Sequence, residues 1–98
     1  MNAGHAHVFN IPTTHPTAAL HFPDLPVVPG ALLLDETFAI IGAAGPLRLQ
    51  AVKFLSPVRH GENIALSWRE GGGGIISFEM CRPGEAVPVL TGTLEPVA

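Results

Sequence analysis

His21 and Asp35 bracket the part of the chain best equipped for acid/base chemistry, the stretch His21-Phe-Pro-Asp-Leu-Pro-Val-Val-Pro-Gly-Ala-Leu-Leu-Leu-Asp35. Neutral imidazole accepts a proton near neutral pH. A carboxylate set among apolar residues is costly to bury unless it has a partner or a task, so Asp35, flanked by Leu34 and Phe38, calls for one. Glu36 is its natural competitor, but it sits about 100° further around a helix. Between the two ends lies Gly30, where a helix start would offer unpaired amides and a dipole that favours negative charge.

The elements that must hold these groups follow from local chemistry. Pro23, Pro26 and Pro29 each fix φ and remove a donor, so the segment before Gly30 is neither helix nor central strand. It is expected as an ordered loop from Thr13 to Gly30, after a short strand from Val8 to Ile11. Good helix formers then predict a helix from Ala31 to about Ala43, with Pro29 suited to its first position and Gly42, Gly45 and Pro46 to stop it. Leu32, Leu33, Leu34, Phe38, Ile40 and Ile41 make that helix apolar on nearly all sides, which requires surrounding structure and desolvates Asp35. Beyond it the period becomes two. Leu47, Leu49 and Ala51, with Lys53 in line, alternate against Arg48, Gln50 and Val52. Further strands are expected from Ile64 to Trp68, Ile75 to Cys81 and Val87 to Glu95. The glycines from Gly71 to Gly74 and the turn from Arg82 to Glu85 join the last three as hairpins, which predicts an antiparallel meander. The glycine run is read as a flexible hairpin, since a phosphate cradle needs a following helix.

His-Phe-Pro-x-x-Pro-Val-x-Pro-Gly followed five residues later by a carboxylate resembles the active-site signature of the 3-hydroxyacyl-acyl carrier protein dehydratases. Val52-Lys-Phe-Leu-Ser-Pro-Val-Arg-His-Gly-Glu62 is similar to a second stretch of that family, and the short loops look most like its small aryl-polyene-type branch. The resemblance implies an α+β hot-dog fold, a curved antiparallel sheet wrapped around one central helix. It implies conversion of 3-hydroxyacyl thioesters to trans-2-enoyl thioesters in fatty acid or polyketide synthesis, with acyl carrier protein or coenzyme A bearing the acyl group. His21 would remove the C2 proton and Asp35 would protonate the departing C3 hydroxyl. Gly30 and Ala31 would bind the thioester oxygen. In the family one site draws its histidine and carboxylate from different subunits, so a homodimer or dimer-based oligomer is implied. Departures from the pattern are Leu20 and Asp24 where glycines are usual, Thr17 to Ala19 where aromatics are usual, and Leu55 and Ser56 where relatives carry basic residues. Lys53 and Arg59 are left as the carrier contacts. Two other readings stay open: a thioesterase of the same fold, with Asp35 or Glu36 activating water, and a non-catalytic acyl-binding or scaffolding subunit. A structural β-domain without activity lies outside these.

Composition narrows the classes further. A chain of 98 residues is expected to form one domain, residues 1–98, with a modest core. Charged residues are 13% of it and hydrophobic ones 47%, against about 25% charged in ordinary domains. Too few charges remain to coat the surface, so an apolar patch should meet another subunit. The net charge of -3, with no basic run, speaks against nucleic acid. Met1 to His7 has no apolar signal core and no run is long enough to span a membrane, so a cytoplasmic protein is expected. Cys81 reads as a small buried hydrophobe. His5, His7, His15 and His60 complete no ligand spacing and are read as incidental, the first two on a flexible terminus; neither metal nor cofactor is expected.

Overall fold

Alternating apolar and polar residues from Ile64 onward build the centre of the sheet. In the computed structural model, which describes residues 4–16, 27–42 and 45–97, strands Ile64–Glu70, Ile76–Cys81 and Leu90–Pro96 (β3, β4 and β5) pair antiparallel as consecutive neighbours. Ile64, Leu66, Ile76, Phe78, Met80, Leu90 and Leu94 are buried on one face. Ser67, Arg69, Ser77, Glu79 and Thr91 occupy the other, as the two-residue period dictates. Each large apolar side chain so buried contributes about 1.5–3 kcal/mol. The glycine run forms a short 3-10 turn, Gly72–Gly74, in which Gly73 and Gly74 take φ of 71° and 77°, a conformation other residues adopt only under strain. The turn at Arg82 is closed by the Glu85 N–H donating to the Arg82 carbonyl at 3.0 Å.

The edges depart from the expected meander. The first strand is His5–Phe9 (β1), three residues earlier than expected, and it pairs with β3; His5 stacks on Trp68 with ring centroids 5.3 Å apart, so this end is ordered by its partner. Leu47–Phe54 (β2) does not pair with β3, its successor in sequence. It crosses to the opposite edge and lies against β5, which gives the order β1-β3-β4-β5-β2. A bulge between Leu49 and Ala51 also breaks the expected alternation. The extra residue re-phases the strand, so Val52 and Phe54, not Ala51 and Lys53, share the face of Leu47 and Leu49. Strand β5 begins at Leu90 rather than Val87, because Pro88 cannot donate to the ladder; Val87 is left 74% exposed.

A helix, Gly30–Ile41 (α1), crosses the apolar face. Pro29 precedes it, and Gly42 ends it in the left-handed conformation, its N–H bonded to the Phe38 carbonyl at 3.2 Å. Leu33 joins the core, with Leu32, Leu34, Ile40 and Ile41 packed against it at partial exposure. The polar side chain this helix buries is Thr37, fully enclosed and donating its hydroxyl to the Leu33 carbonyl at 2.9 Å. Asp35 is exposed, and Phe38 is 37% exposed. The helix is therefore covered on one side, not on nearly all sides. The chain's own packing gives Asp35 none of the apolar enclosure that its sequence neighbours suggested.

Candidate functional site

The start of α1 is held by a short strap, residues 27–29. Val27 forms an isolated antiparallel bridge with Arg59, and the Val28 N–H donates to the Val58 carbonyl at 2.7 Å. Val28 and Val58 are both buried, so the pairing is shielded from water. The Pro29 carbonyl accepts from Leu32 and Leu33, at 3.0 and 3.4 Å. That leaves the Gly30 and Ala31 amides outside the helical ladder, pointing out of its positive end.

Phe54 lies directly over this end. A Cβ placed on Gly30 would come within 2.7 Å of two atoms of the Phe54 ring, so the glycine is what admits the ring. Phe54 itself is 53% exposed. No sequence expectation assigned it a role, yet the spacing carried a signal. Leu47, Leu49, Val52 and Phe54 are separated by two, three and two, and the interval of three marks the bulge that turns Phe54 toward the helix.

From Ala31 an exposed stripe runs along α1 through Asp35, Phe38 and Ala39, at the i, i+4, i+7, i+8 spacing of one helix face. Asp35 thus stands one turn from the open amides, on the same side as Ala31. Glu36 points elsewhere and is half-buried. His21, Leu20 and Asp24 lie outside the described residues, as does most of the proline-rich loop.

The remaining expected contacts separate. Arg59 is exposed beside the strap, next to the helix start. Lys53 is on the outer face of β2, in a groove shared with Ser67, Arg69, Glu79 and Thr91 that does not include Gly30 or Asp35. Behind Arg59 sits an ion pair the sequence did not announce, since its members are twenty residues apart. Arg82 Nε donates to Glu62 Oε2 at 2.6 Å, and Glu62 Oε1 accepts the Arg59 N–H at 2.9 Å. Partial burial pushes the Glu62 carboxyl up, but the Arg82 and Arg59 hydrogen bonds and charges outweigh it and hold it below its usual value. Cys81 is half-buried; burial, then the charges of Glu79 and Glu85, push its thiol up. Among the described residues no cluster of His, Cys, Asp and Glu could hold a metal ion, and no helix is long and apolar enough to cross a membrane.

No protein-family model matches the sequence, and no curated protein matches it. Solved structures do. A chain of the dehydratase heterocomplex ApeI:P from Xenorhabdus doucetiae is similar with a TM-score of 0.76 and 18% identity, covering 97% of this chain and 88% of that one. An uncharacterised protein from Erwinia carotovora subsp. atroseptica gives 0.73 at 18% identity, over 98% and 86%. A mutant of the fluoroacetyl-CoA-specific thioesterase FlK gives 0.52 at 16% identity, over 95% and 82%. At these identities the likeness is one of fold, and with a helix packed on a five-stranded antiparallel sheet among the described residues this chain has the hot-dog fold.

Proposed function

We propose that the chain is a dehydratase that converts 3-hydroxyacyl thioesters to trans-2-enoyl thioesters, with the acyl group carried on acyl carrier protein, in fatty acid or aryl-polyene-type synthesis. The observation that carries this reading is the exposed face of α1. It presents two open amides and, one turn away, the Asp35 carboxylate. Similarity of fold to a chain of a dehydratase heterocomplex supports it.

In this reading the Gly30 and Ala31 amides hold the thioester oxygen and stabilise the charge that develops there as the C2–H bond breaks. His21 takes the C2 proton. Asp35, in its acid form, gives a proton to the C3 hydroxyl, and the C3–O bond breaks with release of water. Atoms balance as loss of one water, and no cofactor is required. Arg59, beside the strap, meets the acidic carrier.

A second copy of the chain covers the stripe Ala31, Asp35, Phe38 and Ala39 and completes the site. Two observations support a homodimer. The stripe is exposed and bears one charge, and the eight-residue strand β2 leaves a free edge that exposes Phe54 beside it.

The test is purified protein with a 3-hydroxyacyl thioester, followed by enoyl absorbance and by free thiol together. Enoyl formation that His21→Ala abolishes is the expected result. Thiol without enoyl would identify a thioesterase, with Asp35 activating water. Acyl-carrier binding with no turnover at saturation would identify a binding subunit.

A further inference from the structure

The strap leads directly into the two amides at the start of α1 on which the proposed reaction depends, yet it belongs to no sheet. Apart from the Pro29 carbonyl, which caps α1, its described backbone contacts go to one segment, residues 55–62, through Val58 and Arg59. That segment is itself irregular, and Pro57 offers no donor. Its position is set by groups from elsewhere in the fold. The Val89 carbonyl accepts the Leu55 and Ser56 amides at 2.9 and 3.2 Å, and the Ile11 carbonyl accepts the Gly61 amide at 2.7 Å.

The third anchor is Arg82, at the end of β4. Its guanidinium spans the segment: Nε to Glu62 Oε2 at 2.6 Å, one terminal nitrogen to the Pro57 carbonyl at 2.7 Å, the other to Ser56 Oγ at 3.5 Å. The far oxygen of Glu62 then accepts the N–H of Arg59, the residue that bridges to Val27. A single carboxylate thus connects the guanidinium to the strap's own partner. Both side chains are about three-quarters shielded from solvent, with 28% and 25% exposure, so these charge-assisted bonds are better protected than a surface pair.

We propose that Arg82 and Glu62 are positioning residues for the site: through residues 56–59 they fix the strap, and through the strap the Gly30 and Ala31 amides. This rests on the dehydratase reading for its kinetic consequence, and on geometry alone for its structural one. Neither residue touches substrate. Their effect is on alignment, where displacement on the order of 1 Å can lower a rate about a hundredfold.

Two mild variants test it. Glu62→Gln keeps the size but loses the charge, and Arg82→Lys keeps the charge but loses the planar fork that makes three contacts at once. Each is expected to raise hydrogen exchange at the Val28 amide while the amides of β3 and β4 keep their protection. Each is also expected to lower kcat on the order of tenfold with KM little changed, because the amides act chiefly on the transition state. Unchanged exchange at Val28 would overturn the clamp. Faster exchange with unchanged kcat would overturn its positioning role. If the wild-type protein forms no enoyl thioester, the dehydratase reading fails, and the exchange measurement still decides whether the pair holds the strap.

Discussion

Two phenylalanines in this molecule rest on glycines, and they do so in opposite settings. Phe78 lies on Gly92 in the centre of the sheet, 4% exposed, where an added Cβ would strike the ring and come 2.9 Å from the Ala51 carbonyl oxygen. Phe54 lies on Gly30 at the start of the helix, with about half its surface open. The first contact is held between the Ala51 backbone and the core. The second can yield, because only the far end of a solvent-exposed side chain stands in the way. The same local device closes the sheet in one place and leaves a yielding lid over open amides in the other.

The largest effect should separate the two regions completely. Asp35→Asn removes the proton donor at a position that the chain's own core does not use, so turnover should drop by about 10²–10⁴-fold while the unfolding midpoint moves little. A stability loss in step with the activity loss would show that Asp35 is structural. At the closed contact the pattern should invert. Gly92→Ala forces Cβ against a ring that cannot leave and should destabilise the fold by about 1–3 kcal/mol in denaturant unfolding. A smaller change at Gly30 should sharpen the contrast. Gly30→Ala gains up to about 1 kcal/mol of helix propensity against the displaced ring, so net stability should move little. Turnover should nevertheless fall about tenfold as Cβ and the displaced ring crowd the amides. Equal stability losses at the two glycines would erase the distinction.

The smallest effect concerns pH and the ion pair behind the strap. Glu62 is held below its ordinary 4.5, so as pH falls the unfolded chain takes up this proton before the folded chain does. The stabilisation it brings is complete above about 4.5 and drains away as pH drops through the lower, folded-state value. In Glu62→Gln this part of the acid limb should flatten, with stability near neutrality reduced. An acid limb identical to wild type would mean that the pair contributes nothing to folding.

What could be read in advance follows the same division. Strands β3 and β4 were legible because each has one wet face and one dry face, and the binary pattern reports that directly. The helix was legible from Pro29 at its start and Gly42 at its end. The edge position of β2 was not, because pairing between strands far apart in sequence depends on the whole sheet rather than on local pattern. Its bulge hid the role of Phe54 for a related reason. Strict alternation placed Ala51 and Lys53 on the apolar side, and one extra residue reversed them. The candidate site divides too. Asp35 and Gly30 stand out as candidates by residue type and spacing, but the exposure of Asp35 depends on what covers the helix, which neighbouring residues cannot report. The pairing of Glu62 with Arg82 gave no signal, since charged residues twenty positions apart declare no partnership until the fold brings them together. His21 lies outside the described residues, so its place in the site stands as a proposal.

The central claim is that the exposed face from Gly30 to Asp35 is half of an active site, completed by a second copy of the chain. Mixing separately inactive His21→Ala and Asp35→Asn proteins, with unfolding and refolding together to exchange subunits, tests it most directly. If each site draws on both subunits, mixed dimers contain one intact site, and about a quarter of wild-type enoyl formation should return by statistical reassortment. A mixture that remains as inactive as its two components, although mixed dimers have formed, would contradict the account.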